Sequence, residues 1–218
     1  MDIKVDQNTV VVFDLDDTLY NEIDYLKSAY IELAKDLKPA NWEQLFAHLF
    51  SLYRNGKNAF EYLSTHFDVS SNELIKRYRN HIPNIKPFKG VLEEFQNIKN
   101  KNGKIAILTD GRKITQRNKI KALGLLSYID YLVISEEIGS EKPNEKNFKC
   151  IEQQFNLSNY FYIGDNFKKD FITAKRLGWQ TIALLDNGLN IHSNAFLYDK
   201  IEHLPQNYIL HFSQLNFT

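Results

Sequence analysis

Two acids spaced one residue apart, Asp14 and Asp16 in Asp-Leu-Asp-Asp-Thr (14–18), are the first residues in the chain suited to more than packing. Period-two geometry and a short turn bring their carboxylates close together with no base beside them. Like charges at such range repel and split in pKa unless a cation sits between them. A hard divalent ion such as Mg²⁺, which takes oxygen ligands and keeps waters, resolves that conflict. The plain alternative is an acidic turn in which Asp17 and Thr18 cap a helix.

Three further clusters follow. Thr109-Asp110-Gly111 joins a hydroxyl to a flexible glycine, and at a helix start this makes an anion site from one O–H and several backbone N–H groups. Lys142, in Ile-Gly-Ser-Glu-Lys-Pro (138–143), is a compact charge able to neutralise a bound phosphoryl group. In Gly-Asp-Asn-Phe-Lys-Lys-Asp (164–170), Asp165 would complete a carboxylate set with Asp14 and Asp16 around the metal. Asp170, one helical turn on, would orient Lys142 or a metal-bound water from behind, with Asn166 in the same supporting layer. Each cluster has a bland reading as well: an N-cap, a surface lysine, an acid at a helix start.

The elements that must position these groups are readable from periodicity. Thr9 to Phe13 is a continuous β-branched and aromatic run, as a strand buried on both faces requires. Similar runs are Lys104 to Leu108, Tyr131 to Ile134, Tyr160 to Ile163 and Gln180 to Leu185. Helical patterns lie between them, for example Val91, Leu92, Phe95, Ile98 and then Phe148, Ile151, Phe155. Alternation of this kind predicts an α/β fold, a doubly wound parallel sheet with helices on both faces. Every cluster then falls at the carboxyl edge, where such sheets bind ligands.

The first connection is the exception. Tyr20 to Pro87 holds no convincing strand but several helical patterns, broken at Pro39, Asn55-Gly56, Asp68 to Ser71 and Pro83. The spacing predicts an inserted α-helical bundle of about four helices acting as a cap over residues 20–85, on a core of residues 1–19 and 86–218. In the tail a short strand near Phe196 and a closing helix from Gln206 are expected.

In order, the motifs are Val-Phe-Asp-Leu-Asp-Asp-Thr-Leu-Tyr (12–20), Ile-Leu-Thr-Asp-Gly (107–111), Glu-Lys-Pro (141–143) and Ile-Gly-Asp-Asn-Phe-Lys-Lys-Asp (163–170). With these the chain resembles the haloacid dehalogenase-like (HAD) superfamily in its subfamily I form, a Rossmann-like core with a helical cap after the first motif. Thr115 to Lys119 with Gly124-Leu125, and Ser135 to Gly139, are similar to that group as well. The resemblance implies a phosphatase in which Asp14 is the nucleophile that becomes an aspartyl phosphate and Asp16 the acid and base. It further implies that Thr109, Asp110 and Lys142 hold the phosphoryl group, and that Mg²⁺ sits between Asp14, the main-chain carbonyl of Asp16, and Asp165. Asp110 departs from the Asn common in this group. An acid at position 16 speaks against dehalogenase or phosphonate hydrolase chemistry, while a phosphomutase or a catalytically silent phosphate-binding regulatory protein stays open. Substrate choice is expected in the cap, with Arg54 and Arg112 as candidate contacts. Sugar phosphates and nucleoside 5′-monophosphates are the candidate substrates.

Composition bounds the partners. With 27 Lys+Arg against 27 Asp+Glu the net charge is zero, which lacks the basic footprint of nucleic-acid binding. Val10 to Phe13 is too short for a signal-peptide core and no stretch suits a membrane span. One cysteine, Cys150, permits no internal disulfide, so a reducing, cytoplasmic setting is expected. The expected partner is a small phosphorylated metabolite, with the protein a monomer or homodimer.

Overall fold

A computed structural model describes residues 1–192 and 200–218. Its centre is a parallel six-stranded sheet in the order β4-β3-β2-β5-β6-β7. The strands are β2 (Thr9–Phe13), β3 (Lys104–Thr109), β4 (Tyr131–Ile134), β5 (Asn159–Gly164), β6 (Gln180–Leu184) and β7 (Asn207–Ile209). β2 is buried along its whole length, which its Thr-Val-Val-Val-Phe sequence tolerates because no polar side chain beyond Thr9 must be satisfied. Val11 and Phe13 pack with Phe95 of α5 (Val91–Asn100) and Ile120 of α6 (Lys113–Ala122). Val10 and Val12 pack on the other face with Phe148 of α8 (Glu145–Phe155) and Phe171 of α9 (Phe171–Arg176). The chain runs outward from β2 through β3 to β4 and then returns to the opposite side of β2 as β5. The reversal opens a crevice at the carboxyl ends of β2 and β5, as doubly wound topology dictates. Between β4 and α8 lies the one-turn helix α7 (Ser135–Ile138).

Between β2 and α5 stand four helices, α1 (Glu22–Leu37), α2 (Trp42–Arg54), α3 (Ala59–His66) and α4 (Ser71–Asn80). They bury their own apolar cluster, including Leu26, Leu33, Leu49, Leu63 and Leu74. Their starts follow cap chemistry: the Asn58 side chain accepts from Phe60 and Glu61 N–H, and Ser70 accepts from Glu73 N–H. The C-terminal carbonyls of α4, which a helix leaves unpaired, are satisfied by the core. Thr115 Oγ1 donates to Arg79 O at 2.9 Å, and Asn118 Nδ2 donates to Asn80 O and His81 O at 3.0 and 3.1 Å. Thus α6 of the core carries the docking contacts to α4. Among the described residues, no helix is long and apolar enough to cross a membrane.

The tail differs from expectation. In place of a helix from Gln206, the chain adds β7 to the sheet edge, turns through a 3₁₀ segment at Phe212–Gln214, and ends in β8 (Asn216–Phe217), which pairs with β1 (Asp2–Ile3). The cause is local: Gln206 Oε1 accepts from Thr181 N–H at 2.6 Å, and Thr181 Oγ1 accepts from Gln206 N–H at 3.1 Å, which lays the segment along β6. The expected strand near Phe196 lies outside the described residues.

Phe13 ends β2 one residue before Asp14 and lies against the rings of Phe95, Phe212 and Phe217, 4.8 Å from the first. Phe13→Ala is expected to lower unfolding stability by about 3–5 kcal/mol, measured by urea unfolding; a change under about 1 kcal/mol would contradict this packing account.

Candidate active site

Strand register delivers the acids. β2 and β5 pair with Phe13 opposite Ile163, and Asp14 N–H donates to Ile163 O at 2.9 Å, which places Asp14 alongside the Gly164-Asp165 turn. One oxygen each from Asp14, Asp165 and Asp170 lies within 4.8 Å of the others. Lys142 enters this group from the loop after α7. Its ammonium donates to Asp14 Oδ1 and Asp170 Oδ1, both at 2.7 Å, and to the Tyr162 hydroxyl at 3.1 Å. Asp170 is fixed in turn by Asn166 N–H at 2.9 Å and by the Tyr162 hydroxyl at 3.0 Å. Gly164 makes this possible, since a Cβ there would lie 2.3 Å from Asp170 Oδ2. Asp165 is held by Thr18 Oγ1 at 3.3 Å and Asn190 Nδ2 at 2.9 Å.

Asp16 has separate surroundings. Its Oδ1 accepts from Lys119 Nζ at 2.7 Å and from the Tyr20 hydroxyl, and its Oδ2 accepts from Gln116 Nε2 at 2.8 Å. The same Gln116 nitrogen donates to Thr109 Oγ1 at 2.6 Å. Two cavities meet here. One of about 250 Å³ contains Asp14, Thr109, Lys142 and Asp165; the other, of about 330 Å³, runs under the helical insertion and is lined by Tyr25, Phe60, Tyr78, Arg79 and Arg112. Asp16 lines both, as do Glu22, Asp110 and Gly111.

Burial and charge set the protonation states. Burial, with the Asp170 charge added, pushes Asp14 up to about 7 against the pull of Lys142. Burial and the charges of Asp14 and Asp170 hold Asp165 well above the usual carboxylate range. Burial alone would depress Lys142, but Asp14 and Asp170 outweigh it and hold the ammonium well above its ordinary value. For Asp16 burial also works upward, yet Lys119 with the hydrogen bonds from Tyr20 and Gln116 prevails and keeps the carboxyl below its ordinary value. Were all three clustered acids ionised against the one ammonium, the formal charge would be −2, and burial together with this repulsion keeps protons on Asp14 and Asp165. A hard divalent cation fits this donor set in charge and ligand type. The Asp16 carboxylate is taken up by Lys119 and Gln116 and is not part of this cluster.

Asp14, Asp16, Thr109, Asp110, Lys142, Asp165 and Asn166 thus all line the first cavity, with Asp170 completely buried behind them. Asp110 lines the cavity beside Thr109 and Lys142, and its carboxylate accepts from the Lys142 backbone N–H at 3.1 Å and from Lys169 Nζ at 2.8 Å. Arg112 lines the second cavity and pairs with Glu136 at 2.8 Å, whereas Arg54, at the end of α2, lines neither. Tyr162, Lys119, Gln116, Thr18 and Asn190 carry contacts that the motifs did not assign. Gln116 and Lys119 stand in the family-like stretch after Gly111, and Tyr162 stands two residues before Gly164, one step of the strand period.

A parallel sheet whose carboxyl edge gathers three acids about a buried lysine, with a fourth acid set apart, defines an α/β enzyme site for an anion and a cation together. The sequence profile of haloacid dehalogenase-like hydrolases matches residues 11–184, and the chain belongs to that family. It is 27% identical over 191 residues to a glyceraldehyde 3-phosphate phosphatase of Methanocaldococcus jannaschii, covering 80% of this chain and 84% of that one. It is 28% identical over 188 residues to the pyrimidine 5′-nucleotidase YjjG of Escherichia coli, covering 78% and 83%. Among solved structures it is similar to a HAD phosphatase from Thermococcus onnurineus, with a TM-score of 0.59, 19% identity and coverage of 92% and 93%, a likeness of fold.

The clustered acids also set a pH dependence. Asp14 at about 7 and Asp17 at about 6, both raised first by burial from 3.8, keep protons in the fold that the unfolded chain has released. Where the native state binds more protons, stability falls as pH rises. In chelator, urea unfolding is expected to show lower stability at about pH 8 than at about pH 5, and added Mg²⁺ to restore more at the higher pH, because it binds the ionised folded cluster. Greater metal-free stability at about pH 8 would refute this.

Proposed function

We propose that the chain is a Mg²⁺-dependent phosphatase that hydrolyses a small phosphomonoester through an aspartyl phosphate on Asp14. Family membership and the phosphatase relatives support a phosphoric monoester hydrolase. The observation that carries the finer reading is the contrast between two acids on one strand end: Asp14 in the cluster with Lys142, Asp16 at the junction of the two cavities. Paired acids in divergent environments mark a division of roles. Asp14, Asp165 and the main-chain carbonyl of Asp16 would hold Mg²⁺, which would supply positive charge against the phosphoryl oxygens.

An Asp14 carboxylate oxygen attacks phosphorus while the bond to the leaving oxygen breaks, and Asp16, which takes up a proton from solvent beforehand, gives it to that oxygen. Lys142 and the Thr109 hydroxyl hold the transferring oxygens. Asp16 then takes a proton from the water that attacks phosphorus, releasing phosphate and restoring Asp14. The leaving group would occupy the cavity under the helical insertion. Its aromatic walls and Arg79 and Arg112 suit a sugar or a nucleoside, and the two relatives' names fall one on each side. The lone cysteine, Cys150, is free, in keeping with a reducing cytoplasmic setting.

With p-nitrophenyl phosphate and Mg²⁺, Asp14→Asn is expected to lower kcat by about 10³-fold or more, and quenched wild-type enzyme to carry phosphate on the Asp14 peptide by mass spectrometry. Undiminished Mg²⁺-dependent turnover in D14N would defeat the proposal. Release rates on glyceraldehyde 3-phosphate, other sugar phosphates and nucleoside 5′-monophosphates then identify the substrate class.

A further inference from the structure

Lys119 is an ammonium that the reaction outlined above does not use. It is 3% exposed, on α6, with its Nζ 2.7 Å from Asp16 Oδ1, 3.6 Å from Glu22 Oε1 and 4.7 Å from the centroid of the Tyr25 ring. A buried ammonium persists only where its partners are fixed, so these contacts define a single place for it. It lines the cavity under the helical insertion and not the one that contains Asp14, Thr109 and Lys142.

Counting donors on Asp16 shows what Lys119 achieves. Each carboxylate oxygen offers two lone-pair sites. Oδ1 receives two donors, Lys119 Nζ and the Tyr20 hydroxyl, and is filled. Oδ2 receives only Gln116 Nε2 and keeps one site free. Gln116 Nε2 also donates to Thr109 Oγ1 at 2.6 Å, so one amide spaces the acid from the phosphate-binding hydroxyl.

We propose that Lys119 is a positioning residue for proton transfer: by occupying Oδ1 it fixes the Asp16 carboxylate so that Oδ2 exchanges the proton with the leaving oxygen and then with water. The proposal rests on the reading of Asp16 as acid and base. Before the first step the resting Asp16 carboxylate takes a proton from solvent on its open Oδ2; that Oδ2–H bond then breaks as the leaving oxygen gains the proton and loses phosphorus. In the second, Oδ2 takes a proton from water as the water oxygen bonds to phosphorus. Misplacing such a group by about 1 Å costs on the order of 10²-fold in rate.

The test compares p-nitrophenyl phosphate with phenyl phosphate, both with Mg²⁺. Nitrophenolate leaves readily without a proton, whereas phenolate, the anion of an acid of pKa about 10, depends on one. The readout is the ratio of kcat/KM for the two esters, which reports the first phosphoryl transfer. D16N and K119M are each expected to lose at least about tenfold more on phenyl phosphate than on the nitrophenyl ester. The double variant is expected to match D16N in that ratio, because Lys119 acts through Asp16. K119R, which keeps the charge, is expected to return the ratio to within about threefold of wild type. Equal losses on both esters in K119M, with D16N still discriminating, overturn the role of Lys119 and leave Asp16 as acid and base. Loss of discrimination in D16N itself overturns both. Should K119M fail to fold by circular dichroism, K119Q is read by the same ratio, and an unchanged ratio there overturns the proposal.

Discussion

The ammonium of Lys142, shared between Asp14 and Asp170 with a 2.7 Å contact to each, is the interaction on which the site depends. Taking three charges out of water is costly, and the loss is recovered only where geometry is close and the remaining donors and acceptors are filled. Each neighbour of the triad serves that end. Tyr162 supplies a hydroxyl between the lysine and Asp170, Asn166 N–H fills Asp170 Oδ2, and Gly164 leaves the room that any side chain would take. β5 and the turn before α9 are therefore shaped by the triad as much as by the sheet. The node also sets a sign: one lysine cannot balance three ionised acids, so burial keeps protons on Asp14 and Asp165, which a divalent cation would release by supplying the missing charge.

The helix α6 gives the site its second anchor. Gln116 and Lys119 hold Asp16 from one face, while Thr115 and Asn118 hold the C-terminal carbonyls of α4. Residues three apart on a helix share a face, so Gln116 with Lys119 and Thr115 with Asn118 form two adjacent stripes, and a single turn of α6 serves both the acid and the inserted helices. Glu22, at the start of α1, faces Lys119 from the inserted side. Where the helical insertion sits and where the Asp16 carboxylate points are thus tied to one rigid element instead of to separate loops.

Much of this was legible in the residues. β2, β3 and β5 are short apolar runs, each ending where the chemistry starts, because a strand buried on both faces must be apolar and its polar residues collect at its end. The inserted helices were readable from their 3.6-residue spacing and from breaks at Pro39 and Asn55-Gly56, where proline and a glycine at φ +67° interrupt a helix. The tail was not, because Gln206 to Ile209 becomes a strand only through pairing with β6, a long-range contact without local signature. Lys119 and Gln116 were likewise opaque in function. They look like the polar face of an exposed helix, and only the fold shows that this face turns inward onto Asp16. The side-chain partners of Asp110, the Lys142 backbone N–H and the Lys169 ammonium, were opaque as well, because both reach it from loops distant in sequence.

Zero net charge, seen from the site, is a sum over strongly polarised parts. Asp14 and Asp16 stand two residues apart, yet burial raises one to about 7 while Lys119 holds the other below its ordinary value. Neither difference is encoded by the strand that carries both. Asp14 faces two further acids from β5 and α9 across the crevice, whereas Asp16 turns toward a helix that follows β3 and offers it an ammonium, an amide and, from the first turn beyond β2, a phenol. The topology that places β3 and β5 on opposite sides of β2 therefore makes the two environments unequal. On the proposed reading, carboxylates so divided let one strand end supply both a nucleophile and a proton carrier, which a pair of acids in a shared environment does not provide.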